Sequence, residues 1–396
     1  MAYPMRALLL IALSSLLAAF GMRDAALAYW RVQDPGQVPR AFVTDPRLKV
    51  RAAELTFSNP EQFAARAGAM AADARAALKS EPLSAIAMSQ LGMAIAVQRA
   101  GAGGTQFAAA EHISRRDLAT QLLLIELSAQ NGDVTAALSH YDRALLVYSA
   151  ASRQLYPLLA RALSDPDIRA ALAKYAARPW AVDFLSTAIT LGGDPASVLA
   201  MMAEVRTQLP QRDAERLTTA LIGQLAARGD YAALRNLVRQ MPRETSRVID
   251  DIGLSSATSD LRLAPLSWVL ANETALETAF EPNGQLVISV ASERSGKAAS
   301  RVTLLAPGNY QLTQAVSYAA STPHAALDWE VRCLGEPSSK VIWQQQLPIA
   351  AGSTTYRSEV TVPEACEAQS WQLMATAEET QYASIARLSE LSLVRR

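Results

Sequence analysis

A chain of 396 residues has room for two or three domains and a sizeable core. Its 37 basic and 37 acidic side chains cancel, so no global field draws in nucleic acid or an anionic lipid surface. His112, His140 and His324 lie far apart and only two cysteines are present, which excludes a zinc-type ligand set; no metal or cofactor is expected.

Residues 1–28 read as an export leader. Arg6 precedes an apolar run from Ala7 to Met22, which as a helix spans about 24 Å, short of the ~30 Å hydrocarbon core. Ala26-Leu27-Ala28 has the A-x-A form of a cleavage site, although Arg23 and Asp24 precede it. Two readings stay open: a cleaved secretory signal, or a short uncleaved anchor that is the chain's one membrane contact. A buried N-terminal helix is the bland alternative. Residues 29–44 hold Pro35, Gly36 and Pro39 without a clear period and read as a tether.

From 45 to 245 the pattern is helical: alanine and leucine dominate, and proline and glycine fall mostly between helices. Asn131-Gly132-Asp133 is a turn, with Leu124 on the helix before it. Ala137, Leu138, Tyr141, Ala144 and Leu145 share one face of the helix after it. Gly193-Asp194 and Gly229-Asp230 repeat the turn, closed by Pro210 and Pro242. A fourth unit is indicated upstream by Pro82, Leu91-Gly92 and 108–113, with a longer turn at 101–104. The first two clear turns are 61 residues apart, so a further helix pair over 155–175 must fill the gap.

This spacing resembles the tetratricopeptide repeat family over roughly 200 residues. The resemblance implies a solenoid of helix pairs whose concave groove takes a protein partner. The family's early first-helix aromatic is absent; Gln121 holds that place. Ser114-Arg115-Arg116-Asp117 reads as a capping box with Ser114 at the N-cap. Alternatively Arg115 and Arg116 form a groove rim for an acidic partner, with Tyr141 between units. Arg228-Gly229-Asp230 is an interhelix turn rather than an adhesion tripeptide.

Residues 246–275 read as a linker. From 276 to 396 the period switches to two, marking the main domain boundary. Runs such as Leu286–Val290 and Trp329–Cys333 are split by Pro282-Asn283-Gly284, Ser295-Gly296 and Pro307-Gly308-Asn309. Eight or nine short strands make a β-sandwich. The order Leu304–Leu312, Ser353–Val362, Trp371–Met374 and 383–394 resembles the galactose-binding-like jelly roll of many carbohydrate-binding modules. That resemblance implies sugar binding as one option, or mere support of neighbouring domains. The fold class is therefore α plus β, a helical solenoid followed by an all-β jelly roll. In an oxidising compartment Cys333 and Cys366 can close a loop of 34 residues, worth ~3.5–4 kcal/mol by chain entropy. The alternative is two buried free thiols.

Alternation assigns Trp329 and Trp371 to the core. Trp343, in the mixed run Val341–Gln346, is the best candidate for an exposed ring that stacks on sugar, followed by Tyr356 and Tyr382. Enzyme motifs are missing: no G-x-S-x-G, P-loop, G-x-G-x-x-G or H-E-x-x-H occurs. Asp250-Asp251 and Glu378-Glu379 are adjacent pairs of the kind that point apart. A non-enzymatic exported scaffold is expected, binding a protein through its helices, with direct polysaccharide binding by the jelly roll as the alternative. The layout resembles uncharacterised Gram-negative envelope proteins associated with exopolysaccharide assembly or export, which implies a periplasmic location.

Overall fold

The computed structural model describes residues 17–26, 29, 45–54, 60–99, 102–191, 194–318, 324–335, 340–348 and 352–396. Most of the leader's apolar run, most of its A-x-A site, all of the tether but Tyr29, and the Gly101 and Gly193 turn positions lie outside these. Residues 17–26 are helical. Among the described residues no helix is long and apolar enough to cross a membrane.

By contact the chain divides into two compact units, Met1–Leu155 and Tyr156–Arg396. In the first, α1 (Pro46–Glu54), α2 (Pro60–Ser80), α3 (Ala85–Gln98), α4 (Gly104–Ile113), α5 (Leu118–Gln130) and α6 (Val134–Val147) pack each against the next through much of the series. The α5–α6 turn is built by local chemistry. Gly132 takes φ +71°, a left-handed conformation that costs a side-chain-bearing residue free energy. Gly132 N donates to Ala129 O and Asp133 N to Ser128 O, so the last α5 carbonyls are satisfied in a Schellman arrangement. Asp133 then caps α6 by accepting from Ala136 N at 2.9 Å. Ala137, Leu138, Ala144 and Leu145 are buried, and Tyr141 is half-buried.

The second unit holds α7 (Ser152–Ala162, from its fifth residue), α8 (Pro166–Ala173), α9 (Ala181–Leu191), α10 (Pro195–Val205), α11 (Gln211–Arg228), α12 (Tyr231–Arg239) and α13 (Arg243–Asp250). The α11–α12 turn repeats the same chemistry: Gly229 has φ +71°, Asp230 N donates to Leu225 O, and Asp230 caps Ala233 N.

The strands follow in the same unit. They are β1 (Val269–Leu270), β2 (Asn272–Glu273), β3 (Leu276–Phe280), β4 (Leu286–Val290), β5 (Ser295–Thr303), β6 (Gly308–Tyr318), β7 (Ala326–Leu334), β8 (Val341–Leu347), β9 (Gly352–Val362), β10 (Ala368–Thr376) and β11 (Ser384–Arg395). One sheet runs β1-β5-β10-β7-β8 and the other β2-β3-β4-β11-β6-β9, all pairs antiparallel. Stripped of the short strands β1 to β3, this is the order of a jelly roll: β4-β11-β6-β9 against β5-β10-β7-β8. The last strand, β11, lies beside β4, the first of the eight.

Residues 246–275 are more than a linker. They finish α13, make two 3₁₀ turns (Ala257–Ser259 and Leu261–Leu263) and place Trp268 fully inside the sandwich core. Trp268 meets Trp329 at 5.8 Å between ring centroids, and Trp329 meets Trp371 edge-on at 6.2 Å. All three are completely buried. Trp268 Nε1 donates to Ile252 O and Trp371 Nε1 to Thr303 Oγ1, so the indoles lose no hydrogen bond by burial.

Arg301 joins α13 to the sandwich. It is 2% exposed, lies with its guanidinium 5.8 Å from the Trp268 ring, and donates to the carbonyls of Asp251, Ile249 and Val248. Those are the unsatisfied carbonyls at the end of α13. Cys333 and Cys366 are bonded, with Cα atoms 5.4 Å apart, tying β7 to the β9–β10 connection.

Candidate functional site

The helical candidates do not gather into one place. Arg115 and Arg116 are exposed on the α4–α5 turn. Ser114 is not the N-cap of α5: it closes α4, and Asp117 caps α5 through Thr120 N at 2.8 Å. Helix therefore starts at Leu118, one turn later than the capping-box reading places it. Tyr141 sits mid-helix on α6, where burial and the neighbouring Glu126 hold its hydroxyl above the usual phenol range.

Gln121 explains the missing aromatic. It is 1% exposed, its Oε1 lies 2.8 Å from His140 Nδ1, and its Nε2 donates to Arg115 O. Burial pulls the His140 ring below its ordinary value, opposed by Asp133. Glu111 Oε1 stands 3.7 Å from the same ring nitrogen and pairs with Arg143. Gln121, His140, Glu111 and Arg143 thus form one polar cluster among α4, α5 and α6.

Trp343 is not an exposed platform. Its strand register sets it opposite Val331, a fully buried β7 residue, so the indole points into the sandwich, half-buried and 6.1 Å from Trp371. Polarity is mixed along this strand because Gln345 also faces inward, accepting from Gln314 Nε2 at 3.2 Å and Ser358 Oγ at 3.1 Å. Tyr356 is likewise on the inward side of β9, and its hydroxyl donates to Pro348 O at 3.0 Å. Tyr382 is 73% exposed, in the β10–β11 connection. The three candidates do not form a common surface.

A cleft of about 350 Å³ lies where α12 and α13 meet the β5–β6 connection. Most of its polar lining is already committed: Arg235 donates to Leu304 O and Glu367 O, Ser246 to Val238 O, and Thr303 to Gln369 Oε1. Arg239 and Asp250 complete it. Burial raises the Asp250 carboxyl, opposed by Arg301. The cleft is a seam between helix and sandwich rather than an open binding pocket.

The outer face of β5-β10-β7-β8 is the surface that strand order assembles and sequence spacing hides. Inward residues of β7 and β10 are buried, so the alternate ones project outward. Register lines them up across strands. One row is Ser300, Gln372, Glu330 and Gln344; the next is Lys297, Met374, Asp328 and Gln346. Ser370 and Arg332 begin a third. Gln344 and Gln346 are exposed, while Asp328, Glu330 and Gln372 are half-buried and so partly fixed by their neighbours. Arg332 forks onto Glu330, with Nε to Oε1 at 2.5 Å and Nη2 to Oε2 at 2.9 Å. That hydrogen bonding holds the Arg332 guanidinium above its ordinary value. Among the described residues no group of three or more His, Cys, Asp or Glu could hold a metal ion.

No protein-family model matches the chain, and no curated protein does. The C-terminal β-sandwich resembles solved carbohydrate-binding modules. One, described as CBM4, is 11% identical over 36% of this chain and 94% of that one, with a TM-score of 0.27. The C-terminal CBM6 of LamC, a marine laminarinase from Zobellia galactanivorans, is 10% identical over 37% and 99%, at 0.23. The enzymatically active domain of bacteriophage CBA120 tailspike protein 4 is 10% identical over 33% of this chain, at 0.25; this chain spans only 19% of its length. The ligands and activities of those proteins are their own.

Proposed function

We propose that this protein is a non-catalytic glycan-binding protein acting outside the cytoplasm, with a polysaccharide chain lying across the outer face of β5-β10-β7-β8. The observation that supports this reading most is the pair of cross-strand rows, Ser300-Gln372-Glu330-Gln344 and Lys297-Met374-Asp328-Gln346. An amide offers a donor and an acceptor from one planar group, and a carboxylate accepts two hydrogen bonds. Neighbouring hydroxyls of a sugar ring need such paired partners. Strands about 4.8 Å apart and outward residues about 6.6 Å apart along each strand repeat those partners over an extended ligand. The Cys333–Cys366 bond fits an oxidising compartment and the export leader. A glycan microarray probed with the full chain tests the reading. Binding to a neutral polysaccharide supports it; a blank array sinks it.

In the same proposal the helices form a tetratricopeptide-like array whose groove takes a protein partner. The matching Gly-Asp turns at 132–133 and 229–230, each a Schellman end followed by an aspartate cap, favour it. Arg115, Arg116 and Tyr141 are its candidate contacts. Photocrosslinkers placed at those positions in cells would capture that partner, and consistently empty crosslinks would remove this part of the reading.

A further inference from the structure

Each sheet ends in two edge strands, and an uncovered edge offers unpaired backbone N–H and C=O groups to another strand. Among the described residues three of the four edges are blunted. β1 and β2 are two residues long, and the β7–β8 pairing shifts register between Val331 and Arg332. β9 is different. It runs 11 residues, Gly352–Val362, in unbroken register with β6. It contains no proline or lysine, and Ser353, Thr355, Arg357, Glu359 and Thr361 stand exposed along it.

We propose that β9 is a pairing edge through which a second copy of this chain extends the sheet, β9 against β9 and antiparallel. Side-chain alternation decides the register. Opposed residues of an antiparallel pair share a face, so the residue at the two-fold axis must pair with itself. With Arg357 at the axis, the two cations oppose each other; with Glu359 there, two carboxylates do. With Ser358 at the axis, Arg357 of each copy opposes Glu359 of the other, and both ion pairs form at once. Opposite charges directly across a strand pair stabilise and like charges destabilise. Charge therefore selects the Ser358-centred register over the fully overlapping one centred on Arg357. Arg396 already touches Glu359, but both side chains are more than half exposed, at 52% and 68%. Such a pair holds Glu359 weakly and leaves it able to face a second cation.

Sedimentation equilibrium of the full chain tests the interface. The wild type is expected to show a concentration-dependent dimer. Arg357→Glu or Glu359→Arg alone should raise its dissociation constant by at least about tenfold, and the double swap Arg357→Glu/Glu359→Arg should restore it. Circular dichroism checks that each variant is folded. Both native cysteines are bonded, so Ser358→Cys adds the lone thiol. It should form an intermolecular disulfide on mild oxidation, whereas Thr361→Cys should not. A wild type that stays monomeric at 100 µM overturns the proposal. So does a dimer indifferent to the single reversals, or a double swap that does not recover association.

Discussion

Arg301 and Asp251 are linked by a hydrogen bond from a buried guanidinium to a backbone carbonyl, and that bond fastens the last helix to the sandwich. Arg301 serves three α13 carbonyls at once and lies against Trp268. Burial pulls its pKa down to about 10, against the attraction of Asp251 and Asp250. Removing it leaves three acceptors without their donor. Hydrogen bonds to a charged group are each worth ~1.5–3 kcal/mol. Arg301→Ala should destabilise the protein by about 3 kcal/mol or more in denaturant unfolding. Arg301→Lys should recover less than half of that, because an ammonium cannot fork to the same carbonyls.

Tyr318 carries the opposite problem. Its ring is 4% exposed and, among the described residues, its hydroxyl has no hydrogen-bond partner. Tyr318→Phe should therefore leave stability at pH 7 unchanged or raise it by up to ~1 kcal/mol. Burial, aided by Tyr356, pushes the phenol from 10.0 up to about 12. The unfolded chain loses this proton first, so the contribution is intact below pH 10 and is lost as pH climbs toward 12. The gap corresponds to ~2.7 kcal/mol. The variant should lose less stability than the wild type over that window. Parallel alkaline unfolding curves would contradict it.

At Gln121, a large aromatic ring should harm this protein. Gln121→Phe removes the amide that meets the buried His140 Nδ1 and donates to Arg115 O, at a cost of ~1 kcal/mol for each hydrogen bond lost. Chemical unfolding of the variant measures it; a stabilised variant would show that the cluster is dispensable.

Reduction of Cys333–Cys366 frees a 34-residue loop in the unfolded chain. The chain-entropy model assigns that loop ~3.8 kcal/mol. Cys333→Ser/Cys366→Ser should lower unfolding stability by about that amount, read from denaturant midpoints. A loss below 1 kcal/mol would mean that the β7 end is held by packing alone.

Alternation and turn residues make the helices, the strand series and the tryptophan core legible, and two cysteines behind an export leader make the disulfide one of two readings. Trp329 and Trp371 share their faces with Val331 and Leu373, and period two is enough to bury them. What stayed hidden depends on neighbours across strands. The exposed-ring reading of Trp343 fails because Gln345 beside it is an inward polar residue whose partners, Gln314 and Ser358, come from the other sheet. Glu330 and Gln372 could each be read as outward. That they stand side by side follows only from β10 pairing with β7, which no local pattern encodes. Ser114 and Asp117 are both good capping residues three positions apart, and it is Asp117 that accepts from Thr120 N and Oγ1 to start the helix.

The proposed glycan face is tested most directly by isothermal titration. A neutral polysaccharide retained on the array would be titrated into the wild type, Gln372→Ala/Gln344→Ala and Tyr382→Ala. Binding across β5-β10-β7-β8 predicts at least tenfold weaker affinity for the double variant and unchanged affinity for Tyr382→Ala. A double variant that binds as the wild type does would contradict it.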